Sequence, residues 1–271
     1  MPELPEVETT LRGIQPHIIN NEIESINVRQ PQLRWLVPSK KIIKALKGNY
    51  FFEIHRRAKY LILNSHHGSL LIHLGMSGCL RIFPHFIEPE KHDHIDLIFK
   101  DGKVLRFTDP RRFGSFLWSK KPDQHPLLKN LGPEPLGSSF SGQYLFESSR
   151  GRKIAIKNFI MNGKIVVGVG NIYASEALFN AGLKPQRKSG NTNLSQFNSL
   201  VASIKMLLQN SINKGGTTLR NFVGGDNKPG YFAQDLMVYG RKDKECKSCS
   251  TSLKELRIGQ RSSIYCPRCQ I

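Results

Sequence analysis

The sequence predicts an α+β protein in three parts: a β-rich N-terminal portion, a helical stretch, and a small cysteine-bearing tail. Three patterns predict it. Residues 22–118 carry short apolar runs of β period broken by polar or glycine turns, the period turns helical from Ile154 onward, and four of the five cysteines fall in the last 26 residues. A chain of 271 residues has length for about two domains with real cores.

The first element is a helix. In "PEVETTLRGIQPHI", Val7, Leu11, Ile14 and Ile18 recur at helical spacing, Pro5 suits a first-turn position, and the acids suit the positive end of the helix dipole. This helix follows the opening "MPELPE" almost at once and fixes Pro2 in space. With the start Met removed, Pro2 carries a free secondary amine beside Glu3. That amine is either a plain helix anchor or a nucleophile next to its own acid.

Strands follow in "EIESINV", "YFFEIHR", "KYLILNS" and "SLLIHLGM". In "HIDLIFKDGKVLRFTD", Ile95, Leu97 and Phe99 alternate up to Asp101-Gly102, and Leu105 and Phe107 resume the pattern, which predicts a hairpin with a type I′ turn. Many short antiparallel strands make a sandwich or barrel of the first ~120 residues. Cys79 reads as a small buried filler. The Pro, Gly and Ser of residues 125–142 mark a linker. Beyond it Ile154, Ile156 and Ile160 predict a short helix. "GNIYASEALFNAG" predicts another, capped by Asn171 and closed by Gly182. Leu194, Phe197, Val201, Ile204 and Leu208 predict a longer one.

Lysine and arginine number 40 against 21 acids, a formal charge of +19. An excess of this size serves a polyanion, and the lack of a long basic amphipathic helix favours nucleic acid over membrane. No stretch approaches the ~18 apolar residues of a membrane helix, and the acidic N-terminus is not a signal peptide, so an intracellular protein is expected.

The tail pairs Cys246-x2-Cys249 with Cys266-x2-Cys269 across sixteen residues. Each pair can place two thiolates on one tetrahedral zinc, and the spacer suits a hairpin between knuckles. Four protein ligands leave no position for a substrate water, so the zinc is structural. Arg257 and Arg261 lie between the knuckles. "NGKIVVGVGNIYASE" offers backbone N–H groups at a helix start, which favour a phosphate oxygen. "IHLGMSG" and "TDPRRFGSF" put Met76, and Arg111 with Phe113, in Gly-bordered loops. There they are core residues or an exposed wedge beside arginines, the device that parts stacked bases. "HRRAKYL" sets Lys59 at the start of a strand.

Taken in chain order, "MPELPEVE", "RRAKYL", "HLGMSG", "EKHDHIDL", "TDPRRFG", "LGPEPL", "VGVGNIYASEALF", "KPGYFAQDLMVYGR" and the four-cysteine tail resemble the formamidopyrimidine-DNA glycosylase family, enzymes that remove oxidised purines from DNA. The resemblance spans nearly the whole chain. It implies a β-sandwich over residues 1–130, a helix–two-turn–helix domain over 131–236 and a zinc finger over 237–271. The implied partner is duplex DNA carrying oxidised purines, bound in a cleft by a cytoplasmic monomer.

The resemblance also implies roles. The Pro2 amine attacks the sugar C1′, Glu3 is the general acid/base, Glu6 positions the terminus, Lys59 donates a proton in β-elimination, and Arg261 serves δ-elimination. Met76, Arg111 and Phe113 match the wedge that fills the hole left by base flipping, with Arg111 facing the orphaned base. His92, Arg152, Lys157 and Asn171 match DNA contacts, with His73 a further candidate. Residues 217–232 correspond to the lesion-recognition loop. The sister endonuclease VIII group, which prefers oxidised pyrimidines, typically has Gly in place of Leu4 and lacks the wedge pattern. A damage-binding protein without catalysis is the competing class, and it gives no reason for Pro2-Glu3.

Overall fold

A computed structural model describes residues 2–216 and 235–271. The described residues form two compact units, one running to Lys129 with 214–216, the other comprising Asn130–Asn213 with 235–271. The segment 217–232 lies outside the described residues.

The first unit opens with α1 (Leu4–Ile18), whose Val7, Leu11, Ile14 and Ile18 are all buried. Two four-stranded antiparallel sheets follow. One has the order β1-β6-β7-β5, built from β1 (Ile23–Val28), β5 (Cys79–Phe83), β6 (Asp93–Phe99) and β7 (Val104–Thr108). The other has the order β2-β3-β4-β8, from β2 (Glu53–Arg57), β3 (Tyr60–Ser65), β4 (Gly68–His73) and β8 (Ser115–Ser119). A single apolar cluster takes Leu61, Leu63, Leu70, Ile72 and Phe116 from one sheet, Ile95, Leu97, Leu105 and Phe107 from the other, and the apolar stripe of α1. Burying both inner faces against one another is what makes a sandwich. Cys79 is buried within β5, a filler as expected.

Two details correct the sequence-based expectation here. Residues Ser39–Leu46, expected within a run of strands, form α2; its Ile42 and Leu46 sit four apart and are buried together, and that spacing is helical. The β6–β7 hairpin does not use a type I′ turn. Gly102 alone takes positive φ (+84°), its N–H bonds the Phe99 carbonyl, and Phe99 N–H bonds the Lys103 carbonyl. This is the three-residue loop in which a left-handed glycine follows a type I turn.

The second unit contains α3 (Gly142–Ser149), α4 (Ile156–Ile160), α5 (Asn171–Asn180), α6 (Leu194–Asn213) and the hairpin β9 (Lys254–Ile258)–β10 (Arg261–Tyr265). Helix α3 went unread because it lies at the end of the presumed linker, although Ser141 caps it by accepting the Tyr144 N–H at 3.1 Å. Ile154 and Leu194, expected in apolar stripes, are exposed and lie outside α4 and at the first position of α6. Helix α6 packs on α3 and α5, and a buried Tyr173 hydroxyl meets Ser211 Oγ at 2.5 Å. Phe179, Val238, Leu253 and Ile264 then join α5 to the cysteine-bearing tail in one small cluster.

Candidate functional site

The N-terminal end is held by a capping box made of two glutamates. Glu3 is the N-cap of α1 and accepts the Glu6 N–H, while Glu6 Oε2 accepts the Glu3 N–H at 2.8 Å. Pro2 is buried, and Glu3 and Glu6 are each 2% exposed. A Cβ on Gly216 would lie 3.4 Å from Glu6 Oε1, so the chain passes close to this carboxylate just before residue 217.

Lys59 sits in a hairpin turn and not at the start of a strand, where it was expected. Arg57 pairs with Tyr60, which leaves Ala58 and Lys59 as the two-residue loop between β2 and β3, with Ala58 at φ +56°. Arg56 ties this hairpin to α1: its Nε meets Glu8 Oε2 at 3.0 Å and one terminal nitrogen donates to the Ala58 carbonyl at 2.9 Å. The element that carries Pro2 and the turn that carries Lys59 are thus fixed to each other.

His73 ends β4 opposite Tyr60, ring against ring at 4.7 Å. Its Nδ1 accepts the Gly75 N–H at 2.9 Å, which requires the neutral ring. Burial, then the charges of Lys59 and Arg34, hold its pKa down to about 4. His73 thereby connects Tyr60, the residue after Lys59, to the loop that bears Met76.

Met76 and Phe113 are 41% and 44% exposed, which answers the core-or-wedge question for this unit: neither is a core residue. Arg111 is exposed as well, and its guanidinium lies 4.8 Å from the Phe113 ring centroid. The two loops abut, since a Cβ on Gly75 would fall 2.4 Å from the Phe113 carbonyl carbon. His92 is half-buried, 6.4 Å ring to ring from His94, and its carbonyl accepts the Asp109 N–H. Buried Arg106 bridges Asp96 and Asp93 at 2.8–3.2 Å, and Arg29 also pairs with Asp96 at 3.0 Å.

In the second unit, Gly259 and Gln260 form a turn with both φ positive (+54° and +62°), the type I′ pattern, and exposed Arg261 follows it directly. Lys157, Asn158 and Asn171 converge on this turn. Lys157 is fully buried and donates to Ser262 O at 3.0 Å and Ser263 Oγ at 2.7 Å; Asn171 Nδ2 donates to Ser262 O at 3.3 Å; a Cβ on Gly259 would meet Asn158 at 2.7 Å. Asn171 is not the cap it was expected to be. Extended Gly170 is the N-cap of α5, which leaves the Asn171 amide for the hairpin. Arg152 is exposed, donates to Ser148 O at 2.6 Å and lies 5.7 Å from the ring centroid of Phe159 on α4.

The four cysteines come together as expected. Their Sγ atoms all lie within 4.8 Å of one another, with Cys246–Cys269 at 3.9 Å and Cys249–Cys266 at 3.5 Å. Thiolates on a tetrahedral zinc stand ~3.8 Å apart, so the donor set fits one ion. Hydrogen bonds from Thr251 pull Cys249 down to about 6, while the bond to Cys249 and burial push Cys269 up to about 12. A cation among the four sulfurs is what would let all of them ionise at neutral pH.

Sequence reasoning missed Glu176 and Asp109. Glu176, 1% exposed, accepts the N–H groups of Met237, Val238 and Tyr239 at 2.7–2.9 Å; a lone acid inside the apolar run "IYASEALF" was the available signal. Asp109, fully buried, accepts the Ser77 hydroxyl and the Gly114 N–H, and its place before Pro110 in "TDPRRFG" marks only a loop.

Three family descriptions match in chain order: "Formamidopyrimidine-DNA glycosylase N-terminal domain" over residues 1–116, "Formamidopyrimidine-DNA glycosylase H2TH domain" over 131–223, and "Zinc finger found in FPG and IleRS" over 243–271. The formamidopyrimidine-DNA glycosylase of Magnetococcus marinus is 52% identical over 273 residues, covering 100% of this chain and 99% of its own; that of Alcanivorax borkumensis is 54% identical over 270 residues, covering 100% of both. The chain belongs to the formamidopyrimidine-DNA glycosylase family. Among solved structures, wild-type Lactococcus lactis Fpg (MutM) with a N7-Benzyl-Fapy-dG containing DNA is similar at TM-score 0.92, 32% identity and 99% coverage of each chain. MutM in complex with carbocyclic 8-oxo-G containing DNA is similar at TM-score 0.91 and 32% identity, again with 99% coverage of each chain. The glycosylase family's antiparallel N-terminal sheets, helical domain and zinc-finger tail are the architecture described above.

Proposed function

We propose that the protein is a bifunctional DNA glycosylase and abasic-site lyase that excises 8-oxoguanine and formamidopyrimidines from duplex DNA in base excision repair, acting as a cytoplasmic monomer. The observation that carries it is the pairing, in one compact unit, of a buried Pro2–Glu3 end clamped by Glu6 with exposed Met76, Arg111 and Phe113 on abutting loops. The names of the relatives and the lesion-bearing DNA in the similar structures support the oxidised-purine class. The charge of +19 supports a polyanion as partner, and among the described residues no helix is long and apolar enough to cross a membrane.

With Met1 removed, the Pro2 nitrogen attacks C1′ and the glycosidic electron pair leaves with the purine, which takes a proton. An α-amine of ordinary pKa, about 7.7–8.0, is in useful part unprotonated near neutral pH. Glu3 exchanges the proton at the sugar oxygen as the ring opens to an iminium. Loss of a C2′ proton then expels the 3′-phosphate, with Lys59 as proton donor, and a second elimination expels the 5′-phosphate, served by Arg261. Met76, Arg111 and Phe113 occupy the hole left by the extruded base. His92, Arg152, Asn171 and His73 are assigned to DNA contacts, whereas Lys157, expected among them, is fully buried and acts through the Arg261 hairpin. The working division is 1–130 for chemistry, 131–236 for DNA binding and 237–271 for the finger, in which Cys246, Cys249, Cys266 and Cys269 hold one structural zinc.

Borohydride trapping on duplex DNA with 8-oxoguanine opposite cytosine tests the proposal. The expected product is a covalent adduct whose intact mass is that of the chain without Met1 plus the attached, reduced DNA. Tight binding without any adduct would leave a damage-binding protein instead.

A further inference from the structure

Resting on the wedge assignment just made, we propose that Asp109, with Ser77, is a positioning clasp that presets the distance between Met76 and the Arg111–Phe113 pair before DNA is engaged.

Asp109 is fully buried, yet each oxygen of its carboxylate is committed to a loop backbone or its neighbour. Oδ1 accepts the Ser77 hydroxyl at 2.6 Å and the Arg111 N–H at 3.3 Å, and Oδ2 accepts the Gly114 N–H at 2.7 Å. Ser77 Oγ in turn accepts the Arg111 N–H at 3.2 Å. One carboxylate therefore grips the residue after Met76 and both ends of the segment Arg111–Gly114. Hydrogen bonds to an ionised acceptor are roughly twice as strong as neutral ones.

The segment it grips is strained. Arg112 takes φ +56°, a left-handed value that costs a non-glycine residue and persists only where the surroundings impose it. Those surroundings are again Asp109: its carbonyl accepts the Arg112 N–H at 3.1 Å and is itself met by His94 Nε2 at 2.8 Å. Glycine is required on both sides of the joint. A Cβ on Gly114 would fall 2.9 Å from the His73 carbonyl and 2.6 Å from the Phe107 ring, just as one on Gly75 collides with the Phe113 backbone. Loops this close, with three exposed side chains presented outward, have had their ordering cost met during folding. Without the clasp that cost falls on the step that extrudes the base.

A clasp and a plain turn cap differ in what they slow. Base extrusion is needed to excise 8-oxoguanine from a paired duplex but not to cleave an abasic site, so single-turnover rates on the two substrates separate them. Ser77→Ala should lower excision from paired duplex about tenfold while abasic-site cleavage changes by about twofold or less, with Ser77→Thr restoring the ratio. Asp109→Asn should shift the ratio further in the same direction; if it does not fold, Ser77→Ala carries the test. Equal loss on both substrates, or no loss on either, overturns the clasp. Phe113→Ala run alongside identifies which idea failed: a changed ratio there with an unchanged one in Ser77→Ala sinks the clasp alone, and an unchanged ratio in Phe113→Ala sinks the wedge and the clasp with it.

Discussion

Glu6 Oε2 accepts the backbone N–H of Glu3 at 2.8 Å, so one carboxylate fixes the residue that carries the other. Because Glu3 is the N-cap of α1 and returns the bond to the Glu6 N–H, the first turn cannot move without breaking both. Glu6→Ala should therefore destabilise the protein by about 1 kcal/mol, the usual cost of a lost cap. Excision should fall by at least about tenfold, since the terminus loses its orientation. A urea melt and single-turnover excision measured on the same preparation check both.

Pro2→Gly keeps an amine but loses the ring that makes it secondary and rigid. Turnover and borohydride trapping should drop by about two orders of magnitude or more, the scale of nucleophile misplacement. Lesion-DNA affinity in a gel-shift assay should stay within a few-fold. Wild-type turnover in this variant would refute the proline role.

Arg111 is exposed and stacked on Phe113, so removing it should cost no more than about 0.5 kcal/mol of stability. Arg111→Ala should flatten the preference for cytosine opposite the lesion, measured as the ratio of excision rates with cytosine and adenine as partner. An unchanged ratio would remove Arg111 from opposite-base recognition.

Zinc removal should act on strand cleavage through Arg261, which directly follows the type I′ turn at Gly259-Gln260. Cys249→Ser or chelation should release the metal, lower the Tm and weaken DNA binding, because small zinc modules lose their fold with their ion. A zinc-free protein that binds and cuts DNA normally would make the finger dispensable.

His73 sets a pH dependence. Its folded pKa of about 4 lies below the ordinary 6.5, so between these values the unfolded chain binds more protons than the folded one. Stability is then fully present above about pH 6.5 and is lost as the pH falls toward 4, by up to about 3 kcal/mol. His73→Gln should flatten the Tm profile across that window.

Much of the fold was legible because it rests on local periodicity. Val7, Leu11, Ile14 and Ile18 announce α1, alternation announces β6 and β7, and Cys-x2-Cys pairs announce the metal site whatever the rest of the chain does. What failed was short or context-bound. Helix α2 has eight residues and only two buried apolar ones, too few for its period to stand out among strands, and the form of the Asp101-Gly102 turn depended on the register of two paired strands.

The sequence by itself determined which chemistries are available: a proline near the terminus beside an acid, a lysine in a basic run, four thiolates in pairs, an arginine between the cysteine pairs, and a strong positive charge. Only tertiary structure decided which polar groups hold the others in place. Asp109 gripping Ser77, Glu176 collecting three backbone donors at 237–239, and Lys157 buried under the Arg261 hairpin all link residues 32 to 106 positions apart in the chain. No local pattern encodes such pairs, since each buried charge is stable only where folding brings its partners within hydrogen-bond reach.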